Sequence, residues 1–339
     1  MADKSYFLRI LRGASFQKLN SVLNAVHEKT GKNKLSILLD ILHCTKKYGS
    51  GYYDYQIFAF YDLTEEQRAT YVTRTVSRDL NMFLNDPKYR DLFDDKVEFN
   101  RLFAKYVNRG CISLESATKD EVRAFMDGKE SVFAKPKDGE CGHGCELLRV
   151  ADFADFDALY DYLKNGGFHM VEDVIRQHPD VAKLHPSSVN CMRVITLLDD
   201  DGEPHCLYVV QKIGLNGSII DNNCMFTPVN LETGEMMYPA HSGDTVKGII
   251  YHEHPNSHIP LVGYKIPFAK EAVEMCLKAA TIVPQIRYIG WDVAITPNGP
   301  AIIEGNPYNA HDFWQLPPHT LDKIGMLPKI REIAPEFKY

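Results

Sequence analysis

The sequence predicts a mixed α/β fold built of α+β lobes behind a helical N-terminal region. Three observations carry this. Apolar residues recur at helical spacing through residues 1–95. Helix and strand signals alternate from about residue 96. From Val189 onward, strand runs bounded by glycine turns dominate. The expected organisation is a helical region over 1–95, a central lobe over 96–178 and a C-terminal lobe over 179–339. A chain of 339 residues is long enough for that many units or for one multilobed body.

The elements follow in order. Ser15 to Glu28 is amphipathic, with Phe16, Leu19, Val22, Leu23 and Val26 on one helical face, and Gly31 can end that helix. Leu35 to Cys44 reads as a second helix. Thr64 and Gln67 form a capping box that predicts a helix running to Leu84. The aromatic run Tyr52, Tyr53, Tyr55, Phe58, Phe60 and Tyr61 is read as packing core rather than a stacking platform. Phe99 to Val107 is a predicted helix, Ser131 to Lys135 a strand, and Gly139 to Gly144 a glycine-rich loop. A helix over Asp152 to Leu163 and a strand over Phe168 to Ile175 complete the central lobe. Strands follow at Val189–Leu198, His205–Ile213 and Ser218–Asp221, with Gly202 and Gly234 marking turns and one helix from Phe268 to Ile282.

The richest stretch is GWDVAITPNGPAIIEGN, Gly290 to Asn306. Two apolar runs flank a Pro-Asn-Gly turn, and each carries one carboxylate, Asp292 and Glu304. If Asn298 and Gly299 alone made the loop, Asp292 would face Gly305. A three-residue loop of Pro297, Asn298 and Gly299 with a G1 bulge suits those residue types better and pairs Asp292 with Glu304. Asp292, Glu304 and Asn306 then share one face, with Trp291, Val293, Ile295 and Ile303 on the other. Two directly opposed carboxylates repel and favour a cation between them, and a set of hard oxygens suits Mg²⁺. A solvent-exposed hairpin with two unrelated acids accounts for the same pattern.

Lys135 ends a strand beside a mobile-type glycine loop, a placement that suits phosphate binding. No GK[ST] follows the glycines, so this is not a P-loop, and an ordinary strand end reads the same way. Cys141-Gly142-His143-Gly144-Cys145 lacks the second ligand pair of a structural zinc site and the CxxC redox spacing. His252, His254 and His258 fit a substrate-facing loop at least as well as a metal site. A net charge of −7 argues against a nucleic-acid surface, and no run approaches the roughly 18 apolar residues of a membrane span. Eight scattered cysteines and no secretory signal predict reduced thiols in a soluble, cytoplasmic protein.

Taken in order, Asp95-Lys96, Phe133-Ala134-Lys135-Pro136, Met170-Val171-Glu172-Asp173, Asn190-Cys191-Met192-Arg193, Gln211-Lys212, Asp221-Asn222, Gly290-Trp291-Asp292 and Glu304-Gly305-Asn306 resemble the motif succession of the ATP-grasp superfamily. The GWDxxxT…GPxxxEGN ending is most similar to the sugar-transfer-associated ATP-grasp branch, and carboxylate–amine ligases of the ribosomal-protein-modifying type are similar. The resemblance covers roughly residues 50 to 320. It implies an ATP-grasp fold with a nucleotide cleft between two α+β lobes. It also implies that Lys96 and Lys135 reach the nucleotide phosphates, that Gly139, Gly142 and Gly144 belong to the loop covering them, and that Glu172 and Asp173 form the adenine and ribose hinge. Arg193, Lys212 and Asn222 would line the γ-phosphate and acceptor, and Asp292, Glu304 and Asn306 would hold one or two Mg²⁺ ions. Two departures stand out. Lysine replaces the usual arginine at 212, and the glycine pair expected after Asn222 is replaced by Asn223-Cys224-Met225. The activity implied is an ATP-dependent ligase joining a small-molecule carboxylate to an amine. A small-molecule or sugar phosphotransferase and a non-catalytic ATP-binding module are the alternatives.

Overall fold

The computed structural model describes residues 16–136, 144–216 and 224–339. Its first helices form where the periodicity places them. Phe16–Thr30 ends at Gly31, whose φ of +70° only glycine adopts freely and whose N–H bonds His27 O at 2.7 Å. Lys34–Tyr48 is capped by Asn33, which accepts from Leu35 N. Tyr55, Phe58, Phe60 and Tyr61 are buried against these helices, as a core-forming aromatic run should be.

The helix expected from Thr64 to Leu84 is interrupted. The capping box forms, but the structure has Glu65–Arg68, a break, and then Arg74–Leu84. Two tertiary contacts win over local propensity. Arg68 turns inward to grip Asp40 through two 2.8 Å hydrogen bonds. Gln315 then takes both backbone groups of Val72, accepting its N–H at 2.8 Å and donating to its carbonyl at 3.0 Å, so Val72 has no helical partners to make.

Two antiparallel sheets follow. The smaller contains β1 (Cys111–Ser113), β2 (Ser131–Lys135), β3 (Glu146–Arg149) and β4 (Met170–Asp173) in the order β1-β4-β2-β3. The helices Lys119–Met126 and Phe156–Asn165 share its core through Val122, Leu159 and Leu163. The second of these begins four residues after the predicted Asp152, because Asp155 supplies the cap. The larger sheet has β5 (Met192–Leu198), β6 (Pro204–Gly214), β7 (Cys224–Pro228), β8 (Ala240–Ser242), β9 (Ile250–Tyr251), β10 (Tyr288–Thr296) and β11 (Gly299–Asn306), in the order β11-β10-β5-β6-β7-β8-β9. One face packs with the helix Ala269–Ala280 through Val194, Val209, Trp291, Val293 and Ile302. The other packs with Arg74–Leu84 and Leu327–Ile333 through Ile195, Leu197 and Val210. The predicted strand at Ser218–Asp221 lies outside the described residues.

The helices Lys96–Leu102 and Ala104–Val107, grouped in sequence with the central lobe, join the core of the larger sheet instead. Their aromatic stripe finds its partners there. The Phe99 and Phe103 rings meet at 4.6 Å, and Phe103 sits edge-on to Trp291 at 5.3 Å. This packing explains two motif glycines. A Cβ at Gly305 would meet the Phe93 ring at 3.0 Å, and one at Gly290 would meet Asn309 Oδ1 at 1.9 Å.

Arg109 ties the two sheets together. Its guanidinium donates to Glu172 on β4 (Nε–Oε2 2.9 Å, Nη2–Oε1 3.1 Å) and to the carbonyls of Ile302 (2.7 Å) and Ile303 (3.3 Å) on β11. Lys135 on β2 also reaches Glu172, at 2.7 Å. Burial pushes the Glu172 carboxyl up, but Lys135 and Arg109 outweigh it and hold the pKa at about 2.

Two outcomes follow from this packing. Gly290→Ala should destabilise the fold by about 1–3 kcal/mol in urea unfolding, since Asn309 is buried and cannot move aside cheaply. Glu172, with a folded pKa below its ordinary 4.5, contributes stability above about pH 4.5 that is lost as pH falls toward about 2. Urea midpoints measured from pH 6 to pH 2 should therefore fall through that window, and fall less steeply in Glu172→Gln.

Candidate active site

β11, β10, β5 and β6 place polar side chains on one face of the larger sheet. Asp292 pairs with Glu304 on one side and Arg193 on the other; Arg193 pairs with Val210, two residues from Lys212. The predicted pairing of Asp292 with Glu304 is present, but its cause differs from the expected one. The loop has two residues, Pro297 and Asn298, because Thr296 already pairs with Gly299. A bulge after Asp292 supplies the missing step, with Ile303 as the extra residue. Ile302, rather than the predicted Ile303, therefore joins the apolar core with Trp291, Val293 and Ile295.

Arg193 and Asp292 form a buried two-point ion pair, with Nε–Oδ1 at 2.5 Å and Nη2–Oδ2 at 2.7 Å. Lys212 Nζ lies 4.0 Å from Asp292 Oδ2. Burial opposes the charge on Asp292, but Arg193 and Lys212 hold its pKa at about 2, and the same pair raises that of Arg193 against the penalty of burial. Glu304 moves the other way. Lost hydration and then the like charge of Asp292 raise its pKa, with Arg193 and Lys135 offsetting part of the shift. Asn306 Nδ2 donates to Glu304 Oε1 at 3.3 Å and to Gly290 O at 3.4 Å, which orients the amide. The donor set is all oxygen, and Glu304 is solvent-exposed beside the like charge of Asp292. These residues fit a hard divalent cation.

Lys135 comes from β2, and Lys96 from the helix that packs with the larger sheet. The Cys145 thiol lies in electrostatic range of Lys135, Lys96, Glu172 and Glu304 together; burial and the two acids raise its pKa against the two lysines. Glu172 itself is only 1% exposed, and its oxygens are taken by Lys135 and Arg109. Both edges of β4 are paired, to β1 and β2. The Asp173 carboxylate does not join the cluster. It accepts from Gly110 N at 2.8 Å and from Lys129 Nζ at 2.6 Å. Gly139, Gly142 and Asn222 lie outside the described residues, as do Cys141 and His143; Gly144 is described and has φ +76°.

Beyond Lys212 the face turns aromatic. Phe226 pairs with Lys212 and His241 with Phe226. Phe313 packs on Phe226 with ring centroids 4.8 Å apart and lies under the Arg193 guanidinium at 5.8 Å. His311 pairs with buried Asp54 at 3.0 Å, and that partner raises its pKa against the cost of burial. The three histidines of the polar loop do not converge. His254 is buried and meets Gly214 O at 3.0 Å, whereas exposed His258 pairs with Glu253 at 3.0 Å. Among the described residues no group of three or more His, Cys, Asp or Glu is placed to hold a metal. Sequence reasoning missed Arg109, because an arginine before a short strand carries no pattern.

Residues 75–321 match the family described as sugar-transfer-associated ATP-grasp. No curated protein matches. Among solved structures, the chain is similar to the ATP-grasp ligase PsnB complexed with its minimal precursor, at 13% identity and a TM-score of 0.41, over 67% of this chain and 55% of that one. It is also similar to N5-carboxyaminoimidazole ribonucleotide synthetase from Thermotoga maritima, at 14% identity and a TM-score of 0.43, over 77% and 55%. A third is D-alanyl-alanine synthetase A from Vibrio cholerae, at 12% identity and a TM-score of 0.42, over 68% and 62%. The matched region thus spans less than two thirds of each of these proteins. With 75–321 covered by the family match, the chain belongs to the sugar-transfer-associated ATP-grasp family.

Proposed function

We propose that this protein is an ATP- and Mg²⁺-dependent ligase that joins a small-molecule carboxylate to an amine through an acyl phosphate. The observation that carries the proposal is the one sheet face on which the oxygens of Asp292, Glu304 and Asn306 meet the cations Arg193 and Lys212. The smaller-sheet unit up to about residue 178, and residues 179–339 together with the helices Lys96–Leu102 and Ala104–Val107, would be the two lobes around the nucleotide.

Asp292, Glu304 and Asn306 would hold Mg²⁺, which when bound neutralises triphosphate charge. Lys96 and Lys135 would reach the phosphates, with Gly139, Gly142 and Gly144 covering them. Glu172, already committed to Lys135, would position that lysine rather than accept from the ribose. Asp173 would brace the hinge through Gly110. A substrate carboxylate oxygen would attack the γ-phosphorus and ADP would leave. Asp292 takes Nε and Nη2 of Arg193, so Nη1 is the guanidinium donor for the transferring phosphoryl group. Lys212 would add a point charge where an arginine would add a fork, and Asn222 would be the next polar group toward the acceptor. The amine nitrogen would then attack the acyl carbon, expelling phosphate and losing its proton to solvent. The aromatic end of the face, Phe226 and Phe313 with His241, is where the organic part of the acceptor would lie.

The test is ATP turnover over a matrix of carboxylates and amines. ADP and free phosphate should form only when both partners are present, and hydroxylamine should trap the acyl phosphate as a hydroxamate. Glu304→Ala should abolish turnover, and Arg193→Lys should lower kcat by about 10²–10³-fold. A product that keeps the phosphoryl group would instead identify a phosphotransferase.

A further inference from the structure

We infer that Arg109 is a positioning residue for the metal carboxylates, holding open the β11 bulge that turns Glu304 toward Asp292. The inference rests on the proposed metal site. The Arg109 side chain is 5% exposed. Its Nη1 reaches Ile302 O at 2.7 Å and its Nη2 reaches Ile303 O at 3.3 Å, the two carbonyls at the bulge. The same guanidinium holds Glu172 through Nε at 2.9 Å and Nη2 at 3.1 Å.

A bulge disrupts the ladder locally and leaves backbone groups in want of partners. Arg109 supplies two donors from one rigid plane. Without them the favoured relaxation is to regular pairing, which would set Ile303 opposite Asp292 and send Glu304 to the other side of the strand. Glu172 in turn fixes the guanidinium from the smaller sheet. Arg109 is thus a strut between the Lys135–Glu172 pair, on the nucleotide side, and the register of the metal carboxylates. Lysine cannot replace it, because an ammonium keeps the charge but not the fork.

The test separates this role from simple neutralisation of Glu172. Mn²⁺ is titrated into protein saturated with ADP and followed by electron paramagnetic resonance, in wild type, Arg109→Lys, Glu172→Gln and Arg109→Met/Glu172→Gln. Arg109→Lys should bind Mn²⁺ about tenfold or more weakly despite its charge, the usual cost of losing a partner that orients metal ligands. In the Glu172→Gln background, where no buried acid needs a counter-ion, Arg109→Met should still weaken Mn²⁺ by about tenfold. A loss below about twofold in that background, or wild-type affinity in Arg109→Lys, overturns the inference. If the double variant does not fold, Arg109→Lys decides. Wild type that binds ADP but no Mn²⁺ overturns the metal site itself, and the role of Arg109 with it.

Discussion

One additional residue in β11 governs the polar face of the larger sheet. Strand side chains alternate with a period of two, so a shift of one position moves every group beyond it to the other side. Trp291, held between Phe93 and Phe103 and donating its indole N–H to Thr196 Oγ1 at 2.9 Å, fixes which way Asp292 points. The bulge at Ile303 then brings Glu304 and Asn306 to the same side. Hydrophobic packing thus sets half of the oxygen cluster, and a local break in the ladder sets the other half.

The charges on this face are arranged before any ligand arrives. Arg193 is bound to Asp292 and Lys135 to Glu172, one pair on each sheet. Each acid holds its cation in place, and each cation keeps its acid ionised against burial. Taking away one partner would leave a buried charge unpaired, at a cost of about 3–5 kcal/mol. Under the proposed function, an incoming triphosphate would meet cations already in position, an arrangement that favours phosphoryl transfer.

Much of this was legible from residue patterns. The Ser131–Lys135 strand, the amphipathic helices and the aromatic core follow from short-range periodicity, which one sequence displays in full; the facing of Asp292 and Glu304 is expected for a different reason from the one that produces it. The misses are contacts between distant segments. Val72 leaves its helix because Gln315 bonds its backbone, and nothing near Val72 announces that. Glu172 looks like a free acceptor at a strand end, yet Arg109 and Lys135 claim it from two other elements. Pro-Asn-Gly is turn chemistry and points to a bulge at the turn. The bulge sits four residues further on, where it is stabilised by an arginine from another part of the chain.

The grip of Gln315 on Val72 also bears on how the chain is made. Leu316 belongs to the same core as the first helices, and Leu327 and Ile330 to the core of Arg74–Leu84. The helix Arg74–Leu84 therefore lacks the cover of Leu327 and Ile330 until that distant segment has been synthesised. Contacts between such distant positions are slow to form, because a long loop must close before they contribute anything. During that interval Val76, Leu80 and Leu84 remain uncovered, a surface on which chaperones act and from which a truncated chain would aggregate.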